Sequence, residues 1–549
     1  MPIVIVDGKE VEIDGQERLN GIQVAARAGV EIPHYCWHPG LSVVASCRMC
    51  LVETGKKDLQ SGKITMIPKL VPACQTPASD GTVFVTESAA VKNARAMVEE
   101  DLLLRHPVDC PICDKAGECS LQDYHFQHGR EERRADIKPF HSRRRSLGDT
   151  VTLFVDRCVM CTRCVRFCRE VAGTRELMVA HRGAHEEIDI FPGFPLSNKL
   201  SGNVVDLCPV GALGDKDFLY RQRVWFMESH AHVCAGCSTG CSIDVDENQD
   251  RIYRLKPREN LAVNQYWMCD EGRYGWKHVH DPGRLAQPLR RRQGRAEIAD
   301  WTALPAELDQ RLRAAGGLTM VLSPFLTVEE ALLAAKYARA VDAKARVILG
   351  AVPEGAGDER FSGGFTIRSE KCPNRRGVAQ VIRGICGEAA NWSDLLDSSP
   401  SSASGALWVA GGYKSDWIDA SQAELLRAFP LLIVQDLFPS PLSECADYCL
   451  PAASFAEREG SYVNYNDRLQ SFGWAIRPPA GVKTEARLFW QLSQREGMYR
   501  AETVRRELAE EFVYFSALSD AVPPDGIDLK LNRIAPQAAG ATAEMGAIG

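Results

Sequence analysis

Residues 158–168 read Cys158-Val159-Met160-Cys161-Thr162-Arg163-Cys164-Val165-Arg166-Phe167-Cys168, and Cys208-Pro209 follows farther along the chain. A C-x2-C-x2-C run with a distant Cys-Pro is the spacing with which a chain wraps a [4Fe-4S] cluster. Iron needs soft thiolate donors, and each C-x2-C turn aims two sulfurs and several backbone amides at one centre. The proline holds the backbone after the last ligand and favours iron over zinc. Cys168 would complete one half of a two-cluster arrangement, but no second cysteine trio precedes Cys208, so it reads as a small buried hydrophobe.

Working outward, the same logic groups most of the other cysteines. Sixteen of the twenty lie in the first 270 residues, and fifteen of them with one histidine form four sets of four. The first is Cys36, Cys47, Cys50 and Cys74; the second is His106, Cys110, Cys113 and Cys119. The third is Cys158, Cys161, Cys164 and Cys208, and the fourth Cys234, Cys237, Cys241 and Cys269. The chain reads as an electron wire. Two other uses of cysteine compete. A disulfide scaffold needs an oxidising compartment, whereas Met1 to Ile13 alternates like a strand and carries no signal-peptide pattern. Structural zinc remains open for isolated sets, above all His106 with its three cysteines.

The motifs carry a resemblance. Ser46-Cys47-Arg48-Met49-Cys50, Ala73-Cys74-Gln75-Thr76-Pro77, His106-Pro107-x2-Cys110-Pro111-x-Cys113-Asp114, Cys161-Thr162-Arg163-Cys164-Val165-Arg166, Ser201-Gly202-Asn203 and Trp267-Met268-Cys269-Asp270-Glu271-Gly272-Arg273 stand in family order. The chain resembles the large iron–sulfur subunit of respiratory complex I, the G subunit of bacterial NADH-quinone oxidoreductase, in a short form. The resemblance implies a [2Fe-2S] cluster on the Cys36 set and [4Fe-4S] clusters on the other three, about fourteen irons in all. The fourth cluster belongs to only part of the family and lies off its main electron path.

Composition fits a subunit of a hydrophilic arm. The 549 residues are 45% hydrophobic and 25% charged, ordinary for several globular domains, and the net charge of -7 gives no pull toward nucleic acid. No run of eighteen apolar residues occurs, so membrane contact is expected only through partners. Basic clusters at Arg130 to Arg134 and Arg143-Arg144-Arg145 read as solvated faces.

The fold class expected is multidomain, α+β and α/β. Residues 1–85 alternate as short strands with a helix near Gly21 to Ala28, suiting a ferredoxin-like (β-grasp) [2Fe-2S] domain. Residues 86–145 hold the His/Cys3 set behind a helix over 88–104 that starts at Ser88. Residues 146–223 form a ferredoxin-like [4Fe-4S] domain and 224–283 a further [4Fe-4S] module. Asp281 to Arg295 reads as a turn and connector. Over 296–520, strands at Leu318 to Ser323, Ala345 to Leu349, Ala406 to Ala410 and Leu431 to Gln435 alternate with helices such as Thr327 to Val341, which indicates a parallel sheet. Gly355, Gly357, Gly363 and Gly364 fail the dinucleotide pattern at Arg360 and read as loop. Residues 521–549 read as a flexible tail.

By resemblance this second half is a shortened molybdopterin-oxidoreductase-like domain, visible at Leu450 to Glu457 and Glu459 to Asn464. It is too short to enclose a pterin, so no molybdenum is expected. Cys372, Cys386, Cys445 and Cys449 read as structural. No catalytic triad or nucleotide fingerprint occurs, so FMN and NADH belong on a partner. The expected role is an electron relay between that flavin subunit, a two-cluster ferredoxin-like subunit and the quinone-site subunits. Proton translocation is then coupled in the whole complex, in a cytoplasmic arm peripheral to the inner membrane. The rivals are a formate dehydrogenase-like molybdenum enzyme, a zinc-stabilised scaffold, and a diaphorase subunit of an NAD-linked hydrogenase.

Overall fold

The computed structural model describes all residues except 59, 133, 136, 139–142, 184, 399–404, 519–520 and 531–549. It divides into two compact units, Met1–Glu228 with Arg360–Phe365, and Ser229–Glu359 with Thr366–Gly549. Among the described residues no helix is long and apolar enough to cross a membrane.

The first unit begins with the hairpin β1 (Ile3–Val6) and β2 (Lys9–Glu12). Asp7 and Gly8 between them both take positive φ, the two-residue turn whose twist matches a hairpin. Helix α1 (Gly21–Arg27) starts in a capping box made by Asn20 and Gln23. With β3 (Leu51–Lys57), β4 (Ile64–Met66) and β5 (Thr82–Val85) the strands run in the order β2-β1-β5-β3-β4, β1 and β5 being parallel. The helix lies close on this sheet, since a Cβ on Gly21 would stand 2.9 Å from the Phe84 ring. Val4, Val6, Ile22, Val24, Val52 and Phe84 fill the space between. This is the β-grasp arrangement expected, with the Cys36-to-Cys50 loop carried outside it.

Helix α2 (Ala89–Arg105) is capped by Ser88, whose Oγ accepts from the Val91 amide, and α3 (Ser120–His128) packs beside it. Next, β6 (Arg144–Ser146), β7 (Val151–Phe154) and β8 (Leu213–Asp215) form an antiparallel sheet ordered β8-β7-β6. Between β7 and β8 lie the short helices α4 (Arg163–Phe167) and α5 (Asn203–Leu207).

In the second unit, a three-stranded sheet of Glu228–Val233, Ser242–Asn248 and Arg251–Pro257 precedes a seven-stranded one. The strands of the latter are β9 (Leu289–Arg292), β10 (Arg295–Ile298), β11 (Leu318–Leu322), β12 (Arg346–Leu349), β13 (Ala406–Ala410), β14 (Leu431–Asp436) and β15 (Tyr448–Pro451), in the order β10-β9-β15-β14-β13-β11-β12. From β11 to β15 neighbouring pairs are parallel, ordered second-first-third-fourth-fifth, a doubly wound sheet. Its central strands are buried along their whole length, which is why they read as continuous apolar runs. The helix expected after the first strand is α6 (Val328–Val341), capped by Thr327 and Glu330.

Two expectations need correction. The stretch read as a connector contains the antiparallel hairpin β9-β10, which extends the sheet through β15; Gln293 and Gly294 at its tip both take positive φ. The tail begins later than residue 521, because Ile527–Asp528 pairs with Arg468–Phe472 and Leu529 is buried. Residues 531–549 of that tail lie outside the described residues.

Candidate iron–sulfur sites

The first set gathers on the loops beside the β-grasp sheet. Cys36, Cys50 and Cys74 are 1% exposed and Cys47 is half-buried. The Cys36 sulfur accepts from the Cys47 and Cys74 thiols, and these bonds hold it far below the usual thiol range. Cys50 is lowered by its own bond from Cys74. Ala45 and Arg48, flanking Cys47, both take left-handed φ, 52° and 61°. That conformation costs an L-residue about 1–2 kcal/mol and turns successive amides toward the sulfurs.

The second set is positioned by α2. Pro107 disfavours helix at the residue before it, and His106 accordingly leaves the helix in an extended conformation. Burial lowers the His106 imidazole to about 4, so it is neutral at pH 7 and able to offer a lone pair. Cys119 starts α3, with the Gln122 and Leu121 amides directed at its sulfur, although burial still pushes it up to about 11. Arg223 clamps the loop by donating to the carbonyls of Cys113 and Cys110, 2.9 Å each. Cys110, Val108 and Ile112 are exposed.

The third set surrounds a small cavity of about 20 Å3, lined by Cys158, Cys161, Cys164, Cys208 and apolar side chains including Leu153 and Ile188. Met160 and Thr162 take left-handed φ on either side of Cys161, and the Met160 amide reaches the Cys158 sulfur at 3.4 Å. Cys208 closes α5 ahead of Pro209. Burial pushes Cys161 up to about 11 and Cys158 and Cys164 higher. The third set adjoins the second: a Cβ on Gly211 would stand 2.1 Å from the Cys113 sulfur, and the Ser120 amide donates to the Pro209 carbonyl at 2.9 Å.

The fourth set lies in the second unit. The Cys234 amide donates to the Cys241 carbonyl at 2.8 Å, and Gly236 and Gly272 donate to the sulfurs of Cys234 and Cys269 at 3.4 and 3.3 Å. A Cβ on Gly272 would stand 3.0 Å from the Cys234 sulfur, so glycine leaves room for both thiols. Burial pushes Cys234 up to about 11 and Cys241 and Cys269 higher.

Thiols pushed up by burial, such as those of Cys119, Cys161 and Cys234, stay protonated at pH 7 unless a metal centre binds them as thiolates. A single zinc would draw its four sulfurs to within about 3.8 Å of one another, given tetrahedral Zn–S bonds of about 2.3 Å. Among the described residues, the His, Cys and acidic side chains whose donors all lie within 4.8 Å are Glu228, His230 and Glu247.

The remaining cysteines stand apart from these sets. Cys168 is fully buried on the turn after α4, and Cys372 packs against Phe325 and Tyr413. Cys449 is buried in β15, while Cys386 and Cys445 are half-buried at helix ends. Gly355, Gly357, Gly363 and Gly364 are loop residues. The basic clusters are partnered: Arg130 and Arg134 bind Glu100, Arg143 binds Asp156, and Arg145 binds Glu187 and Asp189. The sequence did not reveal Gly211, the left-handed residues, or the arginines that bind the cysteine loops. A bulky residue in left-handed conformation leaves no compositional trace.

Five family models match the chain. They are a 2Fe-2S iron-sulfur cluster binding domain (3–89), the NADH-ubiquinone oxidoreductase-G iron-sulfur binding region (95–134), the ferredoxin-like domain of NADH-quinone oxidoreductase subunit 3 (148–214), the molybdopterin oxidoreductase Fe4S4 domain (227–281) and molybdopterin oxidoreductase (389–495). Four of these five models are named for iron–sulfur or ferredoxin-like domains, and together they mark the chain as similar to iron–sulfur domains of oxidoreductases. The G subunit of NADH-quinone oxidoreductase from Rickettsia bellii is 37% identical over 311 residues, 56% of this chain and 43% of the relative. The mitochondrial NADH-ubiquinone oxidoreductase 78 kDa subunit of Neurospora crassa is 37% identical over 341 residues, 60% of this chain and 43% of the relative. Over the matched part, this chain is similar to subunits named for NADH-quinone and NADH-ubiquinone oxidoreductase, and it spans under half the length of these relatives. A chain from the crystal structure of an NAD+-reducing [NiFe]-hydrogenase in the H2-reduced state aligns at 26% identity and a TM-score of 0.35, over 41% of this chain and 91% of its own.

Proposed function

We propose that this chain is the electron-relay subunit of an NADH:quinone oxidoreductase. Cys36, Cys47, Cys50 and Cys74 hold a [2Fe-2S] cluster. The His106, Cys158 and Cys234 sets each hold a [4Fe-4S] cluster, and no molybdenum is bound. When bound, the clusters accept and donate single electrons. The protein's part is to hold sixteen donors in place, aim amides at their sulfurs and bury most of them. The observation that carries the reading is the adjacency of the sets in the first unit. The third touches the second through Gly211 and Cys113, and touches the first through Arg163 and Arg166. A wire needs such a junction, whereas a scaffold of separate zinc knots does not.

The exposed Val108, Cys110 and Ile112 around the second set suit a docking face for a ferredoxin-like partner subunit, with flavin and NADH on another partner and membrane contact through the quinone-site subunits. Such a chain sits in the hydrophilic arm on the cytoplasmic side. The packing of Cys372 between Phe325 and Tyr413 argues against a molybdenum ligand there. Metal analysis of anaerobically purified chain, with low-temperature EPR of the reduced sample, tests the reading. About fourteen irons with both cluster types and no molybdenum is expected. Stoichiometric molybdenum would favour a formate dehydrogenase-like enzyme, and zinc in place of iron a scaffold.

A further inference from the structure

Arg166 and Arg163 project from α4, the helix that carries Cys164, and both reach across to the loop of the first set. The Arg166 guanidinium is 4% exposed. It donates to the carbonyls of Cys36 and Ser42 on one side and to the carbonyl of Cys161, at 3.1 Å, on the other. Arg163 does the same one turn earlier, donating to the carbonyls of Trp37, next to Cys36, and of Leu207, next to Cys208, the latter at 3.2 Å. One fork-shaped side chain therefore holds a ligand loop of each set, a geometry that the single ammonium of lysine cannot reproduce.

Its charge is unusual for so buried a group. Among the described residues no carboxylate stands within ion-pair distance of Arg166. Glu170, one turn on, is taken by the Ser42 amide and hydroxyl, at 2.9 and 2.7 Å, and by Arg169 at 2.7 Å. Arg157, at 3% exposure, shows the ordinary solution instead: its charge is met by Asp109 at 2.9 Å. A buried guanidinium whose hydrogen bonds all go to carbonyls is costly unless anionic charge lies nearby, and Glu170 supplies part of that charge from beyond ion-pair distance while Arg163 opposes it. Cys36 and Cys161 are the sulfur-bearing residues whose loops it holds, and four-thiolate iron–sulfur centres are net anions that gain one more negative charge on reduction.

We infer that Arg166 is a shared cationic linker that keeps the reduction potentials of the first and third sites high together and holds their ligand loops in one register. The inference rests on the ligand assignments proposed above. Arg166 stays protonated throughout, so its effect is that of a fixed charge placed between two centres. An electron added to either site is stabilised by the same cation, which raises both potentials.

The test is an EPR-monitored redox titration of the full chain alongside its iron content. Arg166→Gln removes the charge and keeps two polar atoms. It is expected to retain iron and lower both midpoints, each by at least tenfold in the reduced-to-oxidised ratio at fixed potential, 59 mV for one electron. Arg166→Lys keeps the charge and is expected to leave both midpoints within threefold of the native ratio. Unchanged midpoints in Arg166→Gln with full iron, movement of only one midpoint, or an equal drop in Arg166→Lys would each overturn the inference. Should Arg166→Gln fail to hold iron, Arg166→Lys decides alone by the same limits. A native chain without iron sinks the relay reading itself, which the iron assay separates from failure of the linker.

Discussion

Gly211→Ala probes the junction between the second and third sets. The added Cβ would meet the Cys113 sulfur at 2.1 Å, whereas ordinary contact begins near 3.4 Å. The loop or the sulfur must therefore move by about 1.3 Å, well beyond the roughly 0.2 Å tolerance of metal–ligand distances. Overpacking of this kind costs roughly 1–3 kcal/mol, which the fold can absorb. The expected outcome is a folded chain that has lost the cluster of the His106 set, about four irons, while the first and fourth sites keep their EPR signals. Gly214→Ala is the control, since its Cβ would meet Leu219 at a milder 3.2 Å. A Gly211→Ala protein with undiminished iron and an unchanged spectrum would refute the reasoning, because Cys113 would then not be bound where its sulfur stands.

Three further outcomes are expected. His106→Cys adds one negative charge to its site and should lower that midpoint in a redox titration; an unmoved potential would mean that His106 is not a ligand. Arg458→Met strands Glu330 and Glu485, which it meets at 2.6 and 3.2 Å in a fully buried cluster. The loss should be about 3–5 kcal/mol, read as a fall in thermal midpoint, and Glu330→Gln with Glu485→Gln in the same chain should recover most of it. Glu99 is pushed up from 4.5 to about 7 by burial, against the Tyr35 hydroxyl that donates to it. Below pH 4.5 it is protonated folded or unfolded; between there and pH 7 only the folded chain holds the proton, so stability falls as pH rises through that window. Glu99→Gln should flatten this slope in thermal scans, and an unaltered slope would assign it to other groups.

The strands and helices of the second unit were legible because their signals are local. Leu318 to Ser323 and Leu431 to Gln435 are mostly apolar runs, and Thr327 with Glu330 spells a capping box. The helix before His106 was legible for the same reason, from Ser88 to Pro107. The hairpin at Leu289 to Ile298 was missed although Gln293-Gly294 is a fair turn signal, because four arginines disguised its strands as a linker. Cysteine spacing marked the four sets but not their adjacency. That depends on contacts such as Arg166 with Cys36, 130 residues apart, for which a single sequence holds no local signal.

That hairpin also bears on how the protein behaves at high concentration. An open sheet edge invites pairing with another chain, the first step toward aggregation. Here the outermost strand, Arg295–Ile298, is exposed at every position, and Arg290 and Arg292 of its neighbour converge on Glu297 at 2.6 and 3.5 Å. A strand from a second molecule would have to dehydrate these charges to dock. The arginine-rich stretch thus works as a gatekeeper, ending a sheet whose apolar central strands would otherwise be open to templated growth.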